Sequence, residues 1–158
     1  MRTPSDPLGA QAYEELLGGA SHCDALSIEE TATALWRQFK GNLDLVAKSR
    51  KLRVVWVPYM PPLVPAMLCG NEVFVAHGMR ATRTRVALAH ELAHHILGPG
   101  AAHADVWALT LAILAPAPLV RSTLPGVDML ARVAVIPRWG AEVRLEIAAC
   151  LKIVARVA

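Results

Sequence analysis

The sequence predicts an α+β protein, mainly helical, with a small mixed sheet of about three strands packed beside a histidine-bearing helix. Three observations lead there. Apolar residues recur at helical spacing through most of the chain, while runs rich in β-branched residues are short and confined to its middle. Proline and glycine clusters separate these segments at intervals too short for long strands. Hydrophobic residues make up 54% and charged residues 18% of the 158, enough apolar material for one real core.

Taken in order, residues 1–24 are rich in Gly, Ala, Pro and Ser and read as a loosely attached arm with a short helix at QAYEELL. Ser27 and Glu30 have the spacing of a capping box, so a helix is expected to begin there, with Ile28, Ala32, Leu35 and Trp36 on its apolar face. A second helical piece containing Leu43, Leu45, Val46 and Ala47 follows Gly41. Leu52 to Val57 reads as a strand stopped by Pro58, the next prolines enforce a loop, and Asn71 to Ala76 reads as another strand. Thr82 is suited to cap a helix that runs to about Leu97, where Gly98, Pro99 and Gly100 end it. The next helix spans Ala101 to Ala115 and stops at Pro116. Val127 to Val133 and Ala141 to Val157 form a C-terminal helical pair, at about 126–158, that closes a single domain over 25–158.

Composition excludes several classes. Cys23, Cys69 and Cys150 are odd in number and never paired as CxxC, which argues against a disulfide framework or a cysteine zinc knuckle and for a reducing, cytoplasmic setting. Val54 to Asn71 carries no charge, but Pro58, Pro61, Pro62 and Pro65 break it; Val106 to Val120 is shorter than the roughly 20 residues that cross a bilayer. No membrane span and no secretory signal are expected. The net charge of +3 is spread rather than blocked, so no direct nucleic-acid contact is expected.

The chemistry concentrates at HELAHH, residues 90–95. Residues four apart share a helix face, so His90 and His94 can aim imidazole nitrogens at one point about 2.0 to 2.1 Å from a zinc ion. Glu91, rotated by about 100°, can reach a metal-bound water without ligating the metal. Chance produces such a pattern in a chain of this size with a likelihood on the order of one per cent or less. A third protein ligand is then required. The Gly98 to Gly100 turn folds the next helix back beside the first, and a rise of about 1.5 Å per residue returns Asp105 to the height of His94. Asp105 is the only ionised group in an otherwise apolar helix, where a divalent metal would relieve its burial. His103, nearer the turn and on another face, is the rival ligand, and His95 lies off the ligand face.

These segments resemble the ImmA/IrrE family of small, gluzincin-like zinc metallopeptidases. The likeness runs through RTRVALAHELAH (residues 83–94), ADVWALTLAILAP (104–116) and LARVAVIPRWGAEVRL (130–145), and covers roughly residues 28–146. The resemblance implies that the acidic third ligand falls on Asp105, where the family usually carries glutamate, and that Zn2+ is held by His90, His94 and Asp105 with Glu91 as general base. It further implies a site-specific endopeptidase acting on a helix-turn-helix repressor, as relatives in mobile elements, phages and stress responses do. The alternative is a metal-stabilised binding module that sequesters a repressor or toxin. An extended substrate is expected to pair with a sheet edge at Glu72 to Ala76, and His77, His103 and Tyr59 are open as oxyanion stabilisers.

Overall fold

The computed structural model describes residues 7–18, 25–61, 63–123 and 126–151. It is α+β and mainly helical, with one small mixed sheet. In chain order the elements are α1 (Pro7–Gly18), α2 (Ala25–Phe39), α3 (Leu43–Ser49), β1 (Arg53–Val57), β2 (Ala66–Cys69), β3 (Glu72–Ala76), α4 (Ala81–Leu97), α5 (His103–Leu114), α6 (Ala117–Ser122), α7 (Val127–Ala134) and α8 (Arg138–Cys150).

The sheet order is β1-β3-β2, with β1 parallel and β2 antiparallel to β3. β2 emerges from the proline-rich loop and returns through a two-residue turn at Gly70 and Asn71, where Gly70 adopts φ +58 at the position that a tight hairpin reserves for glycine. This corrects the expected docking edge: Glu72 to Ala76 is the central strand, bonded on both sides, so its backbone offers no free edge. The edge that packs on α4 belongs to β2.

α5 is the axis of the core. Val106, Trp107, Leu109, Leu111 and Ala112 are fully buried, and α1, α2, α4 and α8 all pack on it. A helix apolar on every side can only be satisfied in such a central place. The stretch read as a loose arm contains α1, which buries Leu8 and Ala12 against the core. At the far end of α5, the buried Arg144 of α8 donates from Nε to Ala115 O at 2.7 Å and bidentately to Glu29 of α2 at 2.6 and 2.7 Å.

Helix starts depart from the sequence expectations. α2 begins at Ala25, so Ser27 is already helical and cannot cap, because a capping residue needs extended dihedrals. α4 begins at Ala81 after an extended Arg80 with no side-chain cap, and Thr82 lies inside its first turn; the exposed start leaves its first amides to water. α6 was not anticipated: Pro116, which ends α5, is its N-cap residue, and the following proline occupies its first turn, where a missing N–H costs nothing. Pro137 likewise starts α8 three residues before the expected Ala141, and the expected continuation to Val157 lies outside the described residues. Among the described residues no helix is long and apolar enough to cross a membrane.

Candidate metal centre

α4 and α5 are joined by a sharp turn. Gly98 is the C-cap of α4 at φ +83 and Gly100 follows at φ +88, both in the left-handed region that only glycine enters cheaply. The helices run back side by side, and this packing brings the chemistry together.

Three imidazoles converge. His103 Nε2 stands 3.0 Å from His90 Nε2 and 3.2 Å from His94 Nε2, and all three offered nitrogens lie within 4.8 Å of one another. Nitrogens bound tetrahedrally at about 2.0 to 2.1 Å from one ion would stand about 3.3 Å apart, so the set is close enough to hold a metal ion. Asp105 is not in the gathered set. It is buried in the first turn of α5, about 200° around the helix from His103. The histidine weighed as the rival third ligand is therefore the one that meets His90 and His94.

The surroundings fix how these rings present themselves. Thr110 Oγ1 donates to Val106 O at 2.7 Å, so it can meet His90 Nδ1, 3.4 Å away, only as an acceptor. This contact favours the tautomer of His90 with its hydrogen on Nδ1, which leaves the Nε2 lone pair toward the cluster. Glu15 of α1 brings Oε2 to 2.5 Å from His103 Nδ1, placing a carboxylate behind that ring. Where the three Nε2 atoms present lone pairs to one another they repel unless a cation lies between them, which makes the cluster a candidate metal centre.

Electrostatics agrees. Burial, reinforced by His94 and His103, pushes the His90 imidazole down to about 3, and burial with His103 also lowers His94. Both are neutral near pH 7, the form that ligates metal. The fully buried Trp107 packs against the His90 ring at a centroid separation of 4.2 Å and walls the inner side of the site.

Glu91 sits beside the cluster. Its Oε2 accepts from Leu68 N of β2 at 2.9 Å, and burial raises its carboxyl, opposed by that hydrogen bond and by His103. Glu91, His94, His95, Leu68 and residues 98–101 line a cleft of about 530 Å³. Of the side chains open as oxyanion stabilisers, His103 belongs to the cluster, His77 packs on Trp56 of the opposite sheet edge, and Tyr59 is 77% exposed. Sequence reasoning missed Glu15 and Thr110. The only signal for Glu15 is its place seven residues after Leu8, on the same side as the buried stripe of Leu8 and Ala12.

No family model, curated protein or solved structure matches the chain.

Proposed function

We propose that the protein is a zinc-dependent endopeptidase, with His90, His94 and His103 as the metal ligands and Glu91 as the general base. The observation that carries this reading is the convergence of the Nε2 atoms of three histidines, with a carboxylate beside them that is not itself among the gathered groups. A zinc ion held there would supply Lewis acidity, making water nucleophilic near neutral pH and polarising a scissile carbonyl.

The chain's own groups do the rest. Glu91, its carboxyl raised by burial, is suited to take the proton of the attacking water and return it to the leaving amine. An extended peptide lying in the cleft pairs with the free edge of β2. The Leu68 N–H that now holds Glu91 faces away from β3, and a peptide carbonyl that takes this N–H releases Glu91 to act. Substrate binding and activation of the base are then one event. By the resemblance to ImmA/IrrE peptidases, the substrate is a helix-turn-helix repressor, cut in the cytoplasm.

A second reading, a metal-stabilised module that sequesters a repressor or toxin, is favoured by the same hydrogen bond, which engages the base in the resting state. One experiment separates the two. Zinc-loaded protein is incubated with a proteome-derived peptide library and with helix-turn-helix repressors, and new termini are read by mass spectrometry. The expected outcome is chelator-sensitive cleavage, reduced about 10²- to 10⁴-fold in Glu91→Gln, which still binds zinc. Equal cutting by Glu91→Gln removes Glu91 as base; loss of repressor activity without cleavage favours sequestration. Elemental analysis of His103→Ala beside Asp105→Ala tests the ligand set, with zinc lost from the first and retained by the second.

A further inference from the structure

α1 lies outside the helical pair that builds the metal centre, yet it reaches the centre with a charged side chain. Leu8 and Ala12 bury one side of α1 against the core, with Leu16 packed against it, and α5 is the element it chiefly touches. Glu15 extends from that side. Its Oε1 accepts from Gln11 Nε2 at 3.0 Å, one turn earlier, which braces the carboxylate. Its Oε2 is shut off from solvent, makes no hydrogen bond, and lies 2.5 Å from His103 Nδ1, so the imidazole is the polar group it faces.

His103 is the ligand most in need of such a contact. It is the first residue of α5, its side chain is 36% exposed, and its ring centroid stands 4.9 and 5.1 Å from those of His90 and His94. His90, by contrast, is buried, with the Trp107 ring 4.2 Å away between centroids and Thr110 at Nδ1. A carboxylate behind the imidazole of a metal ligand holds its hydrogen on the far nitrogen, sets the ring plane and makes the near nitrogen a better donor.

We propose that Glu15 is a positioning residue for the metal centre, acting through His103, and that α1 is thereby part of the site. The proposal rests on the reading of His103 as a ligand. It has a reciprocal consequence. If docked α1 raises metal affinity, bound metal must hold α1 more firmly by the same factor.

The test measures zinc affinity by competition with a chromophoric chelator, and the visible absorption of the Co2+-substituted protein, for wild type, Glu15→Ala, Glu15→Gln and His103→Ala. Glu15→Ala is expected to bind zinc about 10- to 100-fold more weakly and to shift the Co2+ bands. Glu15→Gln, whose amide oxygen still accepts from Nδ1–H without the charge, falls between; it also carries the test if the alanine variant does not fold. Hydrogen exchange in α1 is expected to slow on adding zinc to wild type but not to Glu15→Ala. Unchanged affinity and Co2+ spectrum in both Glu15 variants, with zinc lost from His103→Ala, overturn this proposal alone. A wild type that binds no zinc, or a His103→Ala that keeps it, overturns the ligand set and the proposal with it.

Discussion

At the C-terminal end of α5 the buried Arg144 guanidinium meets the Ala115 carbonyl and both oxygens of Glu29; at the N-terminal end, near His103, three imidazole nitrogens meet one another. Both groups are polar and sit on the core helix, but only the first is complete. A bidentate carboxylate answers the charge of Arg144, and the helix-ending carbonyl of α5 takes a further donor, so nothing there asks for a ligand. The histidine cluster gathers three ring nitrogens at a spacing close enough to hold a metal ion, so it is open to a cation from outside the chain. Buried polarity that is closed on itself holds the fold together, whereas buried polarity left open toward one point is where a fold binds something.

The largest effect that sharpens this contrast is on stability. Removing Arg144 leaves Glu29 buried without its counter-charge, so Arg144→Ala is expected to cost about 3 to 5 kcal/mol in denaturant unfolding of the metal-free protein. The double replacement Arg144→Met with Glu29→Leu should recover much of that loss, because an apolar pair of similar volume carries no desolvation penalty. Zinc affinity of the folded double variant should match wild type, since the two ends of α5 are about 18 Å apart along the helix. A double variant that folds but no longer binds zinc would mean the two ends are not independent.

Acid should act on the opposite end. His90 is held down to about 3 in the folded protein against about 6.5 when unfolded, so the unfolded chain binds the extra proton between those values. Stability of the metal-free protein is therefore unaffected by His90 above about pH 6.5 and falls as pH drops below it, by on the order of 2 kcal/mol at pH 5. His94, also lowered, adds in the same direction. Glu91, raised by burial, works against them, because the folded state then holds its proton to higher pH. Saturating zinc should oppose the acid loss, since the ion competes with protons for the same nitrogens. A His90→Ala variant that loses stability between pH 6.5 and 5 as steeply as wild type would show the slope arises elsewhere.

How much of this was legible in the sequence follows from the range of each interaction. The pairing of His90 with His94 is local, set by the helical repeat, and the Gly98 to Gly100 turn is written in residue types; both could be read directly. The third member of the cluster needed two coordinates. Counting residues across the turn gives height, and it pointed to Asp105, but the azimuth depends on where α5 begins and how it rolls against α4. That roll turns His103 inward. β2 was hidden because four residues between Pro65 and Gly70 carry little periodicity, and with it went the identity of the sheet edge beside α4. The Arg144 and Glu29 pair spans 115 residues, and the Glu15 contact joins a helix read as an arm to the start of α5; no local pattern announces either.

The smallest effect expected is at Thr110, and it tests the tautomer argument most directly. Thr110→Val keeps shape and burial but removes the acceptor for His90 Nδ1–H, leaving that hydrogen unanswered inside the core. The contact is long at 3.4 Å, so the loss should lie at the low end for the outer partner of a ligand, about tenfold in zinc affinity. Thr110→Ser, which retains the hydroxyl and its bond to the Val106 carbonyl, should bind zinc nearly as wild type does. The unanswered donor should also lower metal-free stability by about 1 kcal/mol, the low end for a buried unsatisfied group. If valine binds zinc as tightly as serine, His90 does not rely on Thr110 for its tautomer, and Trp107 alone orients the ring.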